Sequence, residues 1–427
     1  MKRISTAILT AALVTGMAGV TFAPEAFAKK KEEAKPTGPQ VGPVVGASIQ
    51  KAKAAFAAKD MVAAEAAVAE VEAGAKTEDE KYFGNFLRYA LVSQKIADAS
   101  TGTNGAFDPT PMIAPLDALI ASPSTPADMR PQFEYSRATI AYDQKNWALA
   151  SQLFTAAQTH GSTQQNLPLY LAKAKVQGGN AAGGMADLDA LYASGKPQTE
   201  DFYKYAIAQS NTAGLKAETL KWLQRWVTAY PTSTTWRTAI AFYGFSAKPM
   251  AKLDKRQQVD LFRLMRQSKA LADQADYEEY AQRSIDIGLP DEAKLVIDEG
   301  KATGKIPAAS SSIIKGLASD AASQIAAEGS FDALERKAGA SPTGPLSAQT
   351  GDAYLGRSNY AKAIALYRQA LSKGGVNADE VNTHLGIALA MSGDKAGAKT
   401  AFATVTGAPR SDIAAFWTIW LDHPPTS

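Results

Sequence analysis

The chain carries 427 residues, 46% of them hydrophobic and 20% charged, with a formal net charge of +3. A balance this even excludes the strong single-sign field that gathers nucleic acid or anionic membranes, so no nucleic-acid partner is expected. With no cysteine, disulfides, thiolate metal sites, a cysteine nucleophile and a lipidated N-terminal cysteine are excluded as well.

In chain order, the first element is an address. Lys2 and Arg3 precede an uncharged apolar run from Ile8 to Val20, and Ala26-Phe27-Ala28 supplies the small-x-small pattern of a secretory leader. Cleavage is expected after Ala28, since a cut after Ala23 would place Pro24 immediately beyond it. The apolar run is shorter than a ~20-residue span, so no stable membrane insertion is expected after cleavage, and the expected compartment is the periplasm. Residues 29–46, rich first in lysine and then in proline and glycine, have too little apolar surface to fold and read as a disordered tether.

Residues 47–128 read as an N-terminal helical region with degenerate repeats. Alanine and apolar positions recur at helical spacing from Ala47 to Ala73, broken at Lys59-Asp60-Met61, with Ala64 and Val68 in packing positions. A longer helix from Thr77 to Ala97 carries Tyr82, Phe83, Phe86 and Tyr89. A Gly/Pro loop, a short helix to about Ile120 and a Ser/Pro loop follow.

Over residues 129–337 a period emerges. Asn146-Trp147 stands at a turn ahead of Ala150, Phe154 and Ala157, and Gly179-Asn180 precedes Gly184, Leu188 and Leu191 at a shift of 34 residues. Thr219, Leu223 and Trp226 come 35 further on, closed by Pro231. Leu253 to Leu271 reads as one continuous helix. Tyr280-Ala281, Gly288-Leu289-Pro290, Ala293 and Ile297 make a further unit, with the proline suited to a first helical turn. A degenerate pair turns at Gly329-Ser330-Phe331, and residues 338–346 form a Gly/Pro/Ser linker. Residues 347–409 then hold two clear copies. Gly351, Tyr354, Ser358-Asn359-Tyr360, Ala363, Tyr367 and Ala370 are repeated as Gly386, Leu389, Gly393-Asp394-Lys395, Ala398, Phe402 and Val405, each at an offset of 35 residues. In residues 410–427 a last helix, Ile413 to Leu421, carries Trp417 and Trp420 and would cap the open apolar end of the stack.

A fixed period of this length, with small residues where paired helices meet, is the mark of stacked helical repeats. This order of residues resembles the tetratricopeptide repeat (TPR) family. The resemblance implies an all-α, right-handed α-solenoid of helix-turn-helix units that scaffolds other proteins or peptides of the cell envelope and needs no cofactor. It also implies a concave face lined by the first helix of each unit, where Tyr135, Tyr142, Lys173, Asp352 and His384 would point outward to a partner. The ordered Asn/Lys/Arg set of repeats that clamp a peptide carboxylate is missing. An alternative is an accessory protein that binds peptidoglycan or another envelope polymer on the same face.

No motif points to catalysis, and the chain reads as non-enzymatic. Gly300 to Lys305 lacks the spacing and the Ser/Thr of a phosphate loop, and neither His-Glu-x-x-His nor Gly-x-Ser-x-Gly occurs. His160, His384 and His423 lack neighbours at metal-ligand spacing and are expected at the surface; no metal site is expected. Two features stand out. Lys252, Lys255, Arg256, Arg263 and Arg266 fall on one helical face, read either as a patch for an acidic partner or anionic lipid or as a solvated face opposite Leu253, Leu261, Leu264 and Met265. The cluster Trp222, Trp226, Tyr230, Trp236, Phe242, Tyr243 and Phe245 reads either as the lining of a peptide groove or, as expected, as core.

Overall fold

A computed structural model describes residues 39–100 and 108–426; the expected leader, and the expected tether as far as residue 38, lie outside them. The described residues form twenty-one α-helices and no β-strand, with consecutive helices packed in pairs. The chain is therefore an all-α protein of stacked helical pairs.

One local device, used repeatedly, sets these pairs. The first helix of a pair ends on a residue in the left-handed region: Lys59, Lys145, Gly179, Ser358 and Gly393, with φ between 57° and 90°. The next residue, Asp60, Asn146, Asn180, Asn359 or Asp394, accepts hydrogen bonds on its side chain from amides two or three positions ahead. Its own N–H donates back to the carbonyl of Ala55, Ala141, Lys175, Tyr354 or Leu389. Carbonyls orphaned at one helix end and amides orphaned at the next are thus satisfied by two adjacent residues. The turns singled out by spacing are these turns.

The chain divides into two compact units, Met1–Pro197 and Gln198–Ser427, so the run 129–337 contributes to both. Unit 1 holds α1 (Pro43–Ala57), α2 (Met61–Gly74), α3 (Glu78–Ser100), α4 (Ile113–Ala121), α5 (Arg130–Asp143), α6 (Trp147–Thr159), α7 (Leu167–Gln177) and α8 (Ala181–Ala193), each packed on the next. Helix α1 starts at Pro43, inside the stretch read as tether. The N–H groups of Gln40 and Gly42 donate to the carboxylates of Asp79 and Glu80, which fixes the chain there before the helix begins. Ile49, Val68, Leu87 and Leu116 are fully buried between these helices.

Unit 2 holds α9 (Glu200–Thr212), α10 (Lys216–Ala229), α11 (Ser233–Ile240), α12 (Lys255–Gln267), α13 (Gln274–Asp286), α14 (Pro290–Ala302), α15 (Ser312–Ala327), α16 (Phe331–Ala340), α17 (Pro345–Gly356), α18 (Tyr360–Lys373), α19 (Ala378–Met391), α20 (Lys395–Ala403) and α21 (Arg410–Asp422). Helix α11 runs on through a π-helical turn, Ala241–Phe245. Much of the aromatic cluster is core: Trp222, Trp236 and Tyr243 are at most 1% exposed and Trp226 is buried, while Tyr230, Phe242 and Phe245 are half-buried. Small residues occupy the packing positions of successive pairs, since Thr219, Ala293, Ala363 and Ala398 are fully buried. At Gly351 and Gly386 an added Cβ would lie within 2.8 Å of the rings of Tyr367 and Phe402, so glycine is what lets the two helices of each clear copy close on an aromatic residue.

Two expectations are corrected. Helix α12 is shorter than Leu253–Leu271, because a capping box between Asp254 and Gln257 starts it and Lys269, at φ 53°, ends it. The last helix does more than cap an end: α21 packs on α19 and α20 and also on α10 and α12. Trp417 Nε1 donates to the Asp260 carbonyl at 3.3 Å, and the Tyr243 hydroxyl donates to Asp412 at 2.8 Å. The C-terminal helix of unit 2 therefore returns to the unit's early helices.

Candidate functional site

In unit 1, Tyr135 and Tyr142 lie two turns apart on α5 and so share a face. Tyr142 meets Tyr170 of α7 edge-on at 5.2 Å between ring centres, and Trp147 at 5.1 Å. Tyr135, Tyr142 and Tyr170 all pack over the buried ring of Phe154, at 5.7, 6.4 and 5.8 Å. Each of the three tyrosines is half-buried, as is Lys173, one turn beyond Tyr170. Burial, and then the neighbouring Tyr170, raises the pKa of the Tyr135 hydroxyl above its ordinary value. Tyr135, Tyr142 and Lys173 thus occupy neighbouring first helices, and Tyr170 joins them. The sequence held a signal for Tyr170: it stands 35 positions after Tyr135, within one residue of the local period.

In unit 2 the first-helix positions are not open. Asp352 on α17 and His384 on α19 are 5% and 3% exposed, so neither points outward to a partner. Helix α12 covers them. Asp260, fully buried on α12, lies 3.3 Å from His384 Nε2, and Asp352 accepts from His384 Nδ1 at 2.8 Å. Arg263 Nη1 reaches Asp260 at 2.9 Å, and its Nε and Nη2 hold both oxygens of Glu292 at 2.8 and 2.6 Å. Arg410, at the start of α21, reaches the second oxygen of Asp260 at 3.0 Å. The hydroxyls of Tyr367 and Tyr280 donate to Asp352 and Glu292 at 2.8 and 2.6 Å. Burial works against the charged form of Asp352, but His384 and Arg263 hold its pKa below the ordinary value.

This network joins helices far apart in sequence. Buried ion pairs of this kind add little net stability over an apolar core, because desolvation offsets attraction, but they penalise any other arrangement of the helices that carry them. Asp260, Glu292 and Arg410 were not singled out in the sequence. Their signal was a charged residue among apolar neighbours, as in Val259-Asp260-Leu261, which helical periodicity treats as an ordinary surface position.

The five residues read as a basic face divide between buried and exposed positions. Arg263 is buried in the network. Arg256 pairs with Asp352 at 3.1 Å, Arg266 with Glu299 at 2.5 Å and Lys255 with Asp286 at 2.9 Å. Lys252 precedes the helix and is exposed. Arg256, Arg263 and Arg266 therefore pair with carboxylates of this chain, while Lys252 and Lys255 stay exposed. Of the histidines, His384 is buried against the expectation. His160 and His423 are exposed, and His160 Nδ1 lies 2.8 Å from the buried carboxylate of Glu134.

Beside the network, a cavity of about 20 Å³ is bounded by Arg266, Tyr280, Ser358 and Tyr360, room for about one water molecule. A broader groove, about 820 Å³, follows Val44, Ala47, Lys51, Glu70 and Ala73 along α1 and α2. Among the described residues no helix is long and apolar enough to cross a membrane. A scan of protein-family models and a search of curated proteins return no match to the chain.

Proposed function

We propose that this protein is a non-catalytic scaffold of the cell envelope, carried to the periplasm by its leader, whose TPR-like first-helix face in unit 1 docks another protein. The observation that carries this reading is a contrast between the units. The first-helix positions Asp352 and His384 of unit 2 are filled by the unit's own helix α12, whereas Tyr135, Tyr142 and Tyr170 of unit 1 form a contiguous, half-exposed row beside Lys173. Aromatic rings held rigid by a packed core are good anchors, because they lose little freedom on binding.

The test is an affinity capture from envelope extract after in-cell crosslinking, with residues 29–427 as bait. One reproducible protein partner is expected, lost in Tyr142→Ala and Tyr170→Ala and retained in Lys252→Ala. Retention on purified cell-wall polymer with no protein partner would replace this reading with the polymer-binding one.

A further inference from the structure

Six side chains at the centre of unit 2 form a set whose formal charges cancel only with one particular proton in place. Asp260, Glu292 and Asp352 bring three negative charges, Arg263 and Arg410 bring two positive ones, and His384 is the sixth; none is more than 8% exposed. At the rim, Arg256 and Glu380 add one charge of each sign. A neutral imidazole would leave an uncompensated negative charge where water is excluded. The contacts of the ring agree. His384 Nδ1 bonds Asp352 at 2.8 Å and Nε2 faces Asp260 at 3.3 Å without completing a hydrogen bond, so a neutral ring would turn a lone pair toward one of two carboxylates.

We propose that His384 is a buried imidazolium that acts as an alkaline-sensitive latch, keeping the C-terminal helix α21 docked on α12. The link to α21 runs through Asp260, which holds His384 on one side while its second carboxylate oxygen holds Arg410 and its carbonyl accepts from Trp417. The groups facing the latch are Arg256, Asp260 and Arg263 from α12, Tyr280 from α13, Glu292 from α14, Asp352 from α17, Tyr367 from α18, Glu380 from α19 and Arg410 from α21. Burial, with the adjacent carboxylates, lifts Tyr280 and Tyr367 well above the ordinary tyrosine range, so neither ionises ahead of the histidine. Burial alone would lower His384, but Asp260 and Asp352 outweigh it and push its pKa up to about 9. With an unfolded value of about 6.5, the latch is fully engaged below about pH 6.5 and released as pH rises through about 9.

The direct test is a carbon-13 NMR titration of the mature chain labelled at histidine Cε1, with His384→Gln assigning the resonance. His384 is expected to show an imidazolium shift at pH 7.5 and to titrate near pH 9. In parallel, amide hydrogen exchange over residues 410–422, corrected for the intrinsic rate, should lose about twentyfold protection between pH 7.5 and 9.5 relative to residues 43–57. The double variant His384→Gln/Asp352→Asn removes one charge of each sign and should keep α21 protected at both values. A neutral-ring shift at pH 7.5, unchanged protection of residues 410–422 in the natural protein, or the same alkaline loss in the double variant would overturn the proposal. Should the variants fail to fold, the exchange of residues 410–422 in the natural chain still decides it.

Discussion

Replacing Gly386 by alanine tests how the helices of a clear repeat meet. An added Cβ would sit 2.5 Å from Phe402 Cδ1 and 2.8 Å from Cζ, well inside the ~3.5 Å at which carbon atoms attract. Phe402 is 3% exposed and stacks on Trp417 at 6.3 Å, so its ring has no open space to turn into. Overpacking of this kind costs about 1–3 kcal/mol, and replacing glycine in a helix interior returns about 1 kcal/mol of helix propensity. The net expectation is a loss of roughly 0–2 kcal/mol. Gly316 is the control, because it lies inside α15 with nothing within 4 Å of an added Cβ, so Gly316→Ala should stabilise by up to about 1 kcal/mol. The difference between the two variants, about 1–3 kcal/mol, isolates packing from backbone entropy. Urea unfolding followed by tryptophan fluorescence reads it in the right place, since Trp222, Trp226, Trp236, Trp417 and Trp420 all lie in unit 2. Equal midpoints for Gly386→Ala and Gly316→Ala would refute the argument, as would failure of Phe402→Ala to relieve the penalty in the double variant.

Other expectations follow from the same structure. Arg263→Met leaves Asp260 and Glu292 short of a partner and should cost about 3–5 kcal/mol, lowering the unit 2 fluorescence transition while the hydrogen-exchange protection of residues 43–57 in unit 1 is unchanged. Asp394→Ala removes the acceptor that holds the Gly397 amide at 2.8 Å and should cost about 1 kcal/mol in urea midpoint, with Asp394→Asn close to neutral. Lys255→Ala breaks an exposed pair with Asp286 and should change stability by under about 1 kcal/mol. Cosedimentation of Lys252→Ala/Lys255→Ala with anionic polymer should match that of the natural chain, and a clear loss would restore the basic face as a binding surface.

The readable part of this fold is the part written in short range. A left-handed residue followed by Asp or Asn marks the turn at Lys59-Asp60, Lys145-Asn146, Gly179-Asn180, Ser358-Asn359 and Gly393-Asp394. These signals, with Gly351 facing Tyr367 and Gly386 facing Phe402, act over at most one repeat, so a constant 35-residue offset exposes them without any three-dimensional information. The shared face of Tyr135 and Tyr142 was legible to the same degree. Tyr135 and Tyr142 share a face because they are seven residues apart on one helix, and nothing beyond that helix is needed to say so.

The fate of Asp352, His384 and the arginines of α12 was not legible, because it depends on contacts across long stretches of chain. Asp260 meets Arg410 at a separation of 150 residues, and Arg256 meets Asp352 at 96. Periodicity places a side chain on a face of its own helix but does not say what will cover that face. A charged residue on a first helix therefore reads as a contact waiting for a partner. Local sequence thus determines the helices, their caps and the pairing of neighbours, since those depend on backbone conformation and residue size within one repeat. That Asp352 and His384 are filled by the chain itself was decided by α12, and by α21 returning to it, a matter of long-range packing and of balancing buried charge.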